Sequence, residues 1–136
     1  MFRRSVWLVI ALVFVVSASE PSAQRAALRP IMREKLSNTQ QLLEGVVTSN
    51  LQIIDQSSER LSRITYTEVA SWQANAQPEY LRRASAFVDA VKSLRQAATD
   101  RNVEAAANEY SKLVSTCISC HNYVRDSRIA RLELHP

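Results

Sequence analysis

The chain is predicted to be all-α, folded as an antiparallel up-down-up-down four-helix bundle. Three observations predict this. Glycine is almost missing: Gly45 is the only one, beside four prolines. So few turn formers cannot supply the tight turns of a sandwich or barrel. Ala, Leu, Gln, Glu and Arg fill the middle and end of the chain, and all are good helix formers. Apolar residues also recur at three- and four-residue steps, the helical period. A length of 136 residues suits one domain with a single core.

The first residues stand apart. "MFRR" is basic, "SVWLVIALVFVV" carries no charge, and "SASEPSA" is small and polar. That order is the pattern of a secretory signal. The apolar run from Val6 to Val16 is shorter than the roughly 20 residues of a membrane span. Residues 1–18 are therefore read as a leader. Val16 and Ala18 fit the cleavage pattern, and Ala23 offers a later end. Export would place the mature chain in the periplasm, where free thiols are oxidised or otherwise consumed. A retained leader would instead hold the domain at the membrane. Without Arg3 and Arg4, 15 basic residues stand against 13 acidic ones, near +2. That balance is too mild for a nucleic-acid binder.

The bundle domain is read as residues 28–131. Helix one carries Leu28, Met32, Leu36, Thr39, Leu43 and Val46 on one face, with Pro30 in its first turn, where a missing N–H costs nothing. Ser49 or Asn50 can cap helix two, whose face is Leu51, Ile54, Leu61 and Ile64. "TYTEVASWQANAQ" is the least regular stretch and is read as the longest connection. Pro78 and Glu79 suit the first turn of helix three. Its face is Leu81, Ala84, Phe87, Val88, Val91, Leu94 and Ala98. Thr99 or Asp100 can cap helix four. There Val103, Ala106, Tyr110, Leu113, Val114, Cys117, Cys120, His121 and Val124 line one side. The tail after Arg131 is read as loose.

"CISCH", from Cys117 to His121, holds both cysteines and one of the two histidines. Late in helix four, Cys117, Cys120 and His121 share a face, because i, i+3 and i+4 do so on a helix. Covalent haem attachment needs this arrangement: two thiols reach the vinyl groups of one porphyrin edge, and the adjacent imidazole turns to the iron. C-x-x-C-H is the attachment spacing. A redox-active C-x-x-C sits instead at a helix N-terminus beside a strand. A zinc site would have to recruit His135 from the tail. A plain disulfide leaves His121 without a role. Haem is the reading these residues favour, with His121 as one axial ligand.

The far side of the iron decides the chemistry, since a closed site moves electrons and an open one binds small gases. Met32 is the only methionine left once Met1 departs with the leader. It lies near the start of helix one, at the same end of an up-down-up-down bundle as the end of helix four. A methionine on an apolar stripe also reads as core filler.

A C-terminal C-x-x-C-H in a small exported four-helix chain resembles the class II c-type cytochromes, the cytochrome c′ family. The similarity runs from about Leu28 to Arg131. It is strongest in "YSKLVSTCISCHNYVR" and visible in "MREKLSNTQQLLEGVVTSN". The resemblance implies one haem c, thioethers at Cys117 and Cys120, and His121 as proximal ligand. It also implies Met32 as sixth ligand in the manner of low-spin members, and Arg125 near the proximal imidazole or a propionate. The family's aromatic three after the histidine is replaced by Val124, with Tyr123 one place earlier.

The expected function is single-electron transfer to redox partner proteins; the resemblance implies either a monomer or a homodimer packed through the first two helices. The alternative is a five-coordinate haem that binds nitric oxide or carbon monoxide. Arg125, Arg128 and Arg131 recur every third residue and suit an acidic partner as well as a solvated last turn. Tyr66 and Trp72 are candidates to cover a haem edge or to anchor the connection. No paired carboxylates, nucleophile constellation or phosphate loop point to an enzyme.

Overall fold

The computed structural model describes residues 20–72 and 76–134. Helix α1 spans Glu20–Val47, α2 Leu51–Trp72, α3 Pro78–Thr99 and α4 Val103–Leu134. Among the described residues there is no strand. The chain is an all-α four-helix bundle, as its composition predicts. The leader read at residues 1–18, with its cleavage after Ala18, lies outside the described residues. No helix among the described residues is long and apolar enough to cross a membrane.

The chain divides into two units, Met1–Arg33 and Glu34–Pro136. In the first, residues 20–33 are the beginning of α1. The helix starts eight positions before the Leu28 read from the sequence. Pro21 falls in its first turn and alanines follow, so nothing local stops it. Pro30 consequently sits inside the helix, where it cannot supply the N–H of an ordinary turn.

In the second unit the helices run antiparallel. Gln41 of α1 accepts from Ser57 and Arg60 of α2. Tyr80, at the start of α3, donates to Glu68 near the end of α2. Arg95, near the end of α3, reaches Asp55 at the start of α2, with Nε 2.7 Å from Oδ1. Arg83 donates from Nη1 to the Ser119 carbonyl at 2.9 Å, joining early α3 to late α4.

Two of the three turns are built alike. After α1, Ser49 takes φ 54°, and Asn50 N–H returns to the Gly45 carbonyl at 2.7 Å. After α3, Arg101 takes φ 56°, and Asn102 N–H returns to the Ala97 carbonyl at 2.9 Å. Each is a Schellman closure with a non-glycine residue in the left-handed region. Asn50 and Asn102 then cap the following helices, each Oδ1 accepting from the N–H three residues on, Ile53 and Ala105. The cap of α4 is therefore Asn102 rather than Thr99 or Asp100, because the closure uses two more residues before the chain can turn.

The core joins Leu42, Ile54, Leu61, Phe87, Ala90, Val91, Leu94, Ala97, Ala98, Ala106 and Leu113. The faces of α3 and early α4 are those read from the sequence. The face of α1 is rotated. Lys35, Asn38, Leu42 and Gly45 turn inward, whereas Leu36 is 59 % and Leu43 45 % exposed. Gly45 explains the rotation. A Cβ there would lie 2.9 Å from Ile54 Cγ1 and 3.2 Å from the Asn50 carbonyl oxygen, so only glycine lets α1 and α2 approach this closely.

The stretch read as the longest connection is mostly helix. α2 continues to Trp72, which leaves only residues 73–77 to join it to α3. Thr65 and Glu68 are fully buried and hydrogen-bonded, which offsets the cost of placing polar groups on an inner face. Tyr66, on that helix, is 53 % exposed. The side chain of Trp72 lies outside the described residues. α4 also continues past Arg131 to Leu134, since no glycine or proline intervenes.

Candidate functional site

The residues that carry the chemistry lie late in α4. Leu113, Cys117, Cys120 and Val124 follow one another at three- and four-residue steps on its inner stripe. Leu113 is fully buried, and Cys117 packs against the core. Cys120 is half-buried, and Val124 is 40 % exposed. The stripe thus emerges from the core at the two cysteines, with Val124 exposed beyond them. His121, on the neighbouring row, is exposed, and its side chain makes no hydrogen bond among the described residues.

Both cysteines are free thiols. Burial pushes the Cys117 thiol up, partly offset by the Lys35 ammonium. Burial also pushes Cys120 up; Lys35 and Arg83 pull it down, and the Glu68 carboxylate pushes it further up. At neutral pH both sulfurs therefore keep their protons.

These influences reveal a polar cluster that the sequence reading missed. Glu68 is 1 % exposed. Its Oε2 accepts from the Lys35 ammonium and its Oε1 from the Tyr80 hydroxyl. Lys35 also lies over the Phe87 ring, 4.9 Å from the centroid, a favourable cation–π placement. Arg83 stacks over Tyr123 at 5.1 Å and pairs with Glu79, whose carboxyl is held at about 2, chiefly by its hydrogen bonds from Arg82. One signal for Glu68 was present: Ile54, Leu61 and Glu68 stand one heptad apart, so the inner stripe of α2 runs through it.

The other sequence candidates are placed as follows. Arg125, one turn beyond His121, is exposed, with its Nε 3.3 Å from Asp126 Oδ1. Met32 lies on α1, half-buried, in the first unit, whereas the cysteine cluster belongs to the second. The side chains of Arg128 and Arg131, and all of His135, lie outside the described residues. A groove of about 500 Å³ between α3 and late α4 is lined by Arg83, Ile118, Ser119, Asn122 and Tyr123 among others. It takes in none of Cys117, Cys120 and His121, because it follows the outer side of α4.

The arrangement fits a covalent haem. Its thiols stand one helical turn apart on one stripe, and the imidazole beside them is uncommitted. Beyond them the stripe exposes Val124. His135, which a zinc site would have to recruit, lies outside the described residues. Among the described residues no three His, Cys, Asp or Glu side chains gather closely enough to hold one metal, whereas a structural zinc needs four converging ligands. No family description, curated protein or solved structure compared with the chain matches it.

Proposed function

We propose that the chain is a c-type cytochrome of the cytochrome c′ kind, exported to the periplasm, which carries one covalently attached haem c and transfers single electrons. The observation that carries this reading is the placement of Cys117 and Cys120 where the inner stripe of α4 leaves the core, with the free imidazole of His121 beside them. When bound, haem supplies the one-electron chemistry. Cys117 and Cys120 anchor it at two points and fix its edge against α4. His121 offers one nitrogen to the iron. Phe87, Leu113 and their neighbours keep water from the inner face. Met32 is proposed as the sixth ligand, and Arg125 as a contact of a propionate or of the proximal ring. Arg125, Arg128 and Arg131 are proposed to meet an acidic redox partner, since complementary charge raises the rate of encounter.

The test is the absorption spectrum of protein made in a periplasm with c-type haem maturation, in ferric and ferrous forms. Haem that survives acid–acetone extraction in the wild type, but not in Cys117→Ser/Cys120→Ser, supports the reading. Colourless wild-type protein sinks it. A low-spin spectrum that turns high-spin in Met32→Ala supports electron transfer through a His121/Met32 pair. A high-spin wild type makes Met32 a core residue and moves gas binding to first place.

A further inference from the structure

We propose that Lys35 and Glu68, held by Tyr80, form a compensated interior charge pair whose two members act in opposite directions on the reduction potential of the haem attached at Cys117 and Cys120. This rests on the reading of the chain as a c-type cytochrome. It adds a function to three residues that neither bear nor ligate the group.

Three helices meet in the cluster. Lys35 comes from α1, Glu68 from α2 and Tyr80 from α3. The fourth helix brings Cys120, and the charges on Lys35, Glu68 and Arg83 all act on its sulfur. Lys35 acts on Cys117 as well. Arg83, three residues after Tyr80 on α3, donates to the carbonyl of Ser119, the neighbour of Cys120, at 2.9 Å, so the charges lie at the end of the bundle that carries the attachment residues, inside rather than on the surface. Glu68 is 1 % exposed and Lys35 15 %. Solvent and salt screen charges so enclosed far less than surface ones.

Bundle stability does not by itself account for the pair. Apolar residues of the same volume commonly hold a core as well as a buried ion pair or better, because both charges must be stripped of water. A role for the charges follows once the neighbouring group itself changes charge. The couple exchanges one electron and no proton between ferric and ferrous iron. Each charge acts on that couple, in opposite directions. The carboxylate favours the ferric state, with its extra positive charge. The ammonium favours the ferrous state. Together they nearly cancel, and Tyr80 moderates the carboxylate through its hydrogen bond. Arg83 is a second cation acting on Cys120, but its guanidinium is engaged by Glu79 and Ser119, so it serves as a fixed background.

The experiment is a spectroelectrochemical titration of the holoprotein with mediator dyes as the electron source, on wild type, Glu68→Gln, Lys35→Met and the double variant. Glu68→Gln is expected to raise the potential and Lys35→Met to lower it. Each change is about tenfold in the one-electron equilibrium, about 59 mV. The double variant returns close to wild type, with the absorption spectrum unchanged throughout. Tyr80→Phe lowers the potential by less than Lys35→Met, and it serves if Glu68→Gln does not fold. Shifts in the same direction, or no shift in any variant that binds haem, overturn the proposal while leaving the cytochrome reading intact. Colourless wild-type protein overturns both.

Discussion

The ammonium of Lys35 donates to Glu68 Oε2 across 33 positions of sequence, and the acceptor carboxylate is 1 % exposed. This ion pair, with the Tyr80 hydroxyl on the second oxygen, ties three helices together at the end of the bundle that holds Cys117 and Cys120.

Breaking the pair from one side strands a charge. Glu68→Leu alone or Lys35→Met alone is expected to destabilise the fold by about 3–5 kcal/mol. The double replacement restores most of that loss, since no buried charge is left unpaired. Urea unfolding of the four proteins, read as a double-mutant cycle, checks this. Additive losses would show that the two side chains do not interact in solution.

Gly45 is the contact point of α1 and α2. Gly45→Ala places a Cβ 2.9 Å from Ile54 Cγ1 and 3.2 Å from the Asn50 backbone oxygen, which already accepts from the Ile54 N–H. A loss of about 1–3 kcal/mol is expected, as for other overpacked sites, despite the better helix propensity of alanine. The thermal midpoint reports it. A stabilised variant would mean that the helices stand further apart.

Ser49 and Arg101 hold left-handed backbone at φ 54° and 56° without being glycine. Ser49→Gly and Arg101→Gly are each expected to stabilise by about 1 kcal/mol. The two turns are remote in sequence and share no hydrogen bond, so the gains should add in the double variant. Denaturant midpoints measure both effects.

Alkali should loosen the fold through Tyr80. Burial and the Glu68 carboxylate push its hydroxyl well above the ordinary tyrosine range. A raised native pKa means that the neutral form is the one the fold favours. Its contribution is complete below about pH 10, the unfolded value, and is lost as pH rises through the native one. Between pH 8 and the alkaline limit the wild type should lose stability faster than Tyr80→Phe, as followed by urea midpoints at each pH. Parallel curves would place the alkaline loss elsewhere.

Much of the bundle was legible along the chain because its determinants are local. A single glycine, abundant helix formers and a 3.6-residue apolar period give helices. Pro78 and the Asn50 region mark where two of them begin. The C-x-x-C-H spacing is local too. Helical geometry alone brings Cys117, Cys120 and His121 to one turn of α4, whatever packs around them.

What one residue means to another on a different helix was not legible. The face of α1 that turns inward depends on Gly45 meeting Ile54, not on where its leucines lie, so Leu36 and Leu43 stand outside. Glu68 sits in a stretch that looks irregular because its inner positions are Thr65 and Glu68 rather than leucines. Only the arrival of Lys35 and Tyr80 makes a buried carboxylate tenable. The sequence by itself determined the helices and the C-x-x-C-H cluster, since both depend on neighbours within four residues. The tertiary structure alone decided which faces meet and which charges surround the motif. Those depend on close approach and desolvation between residues that are tens of positions apart.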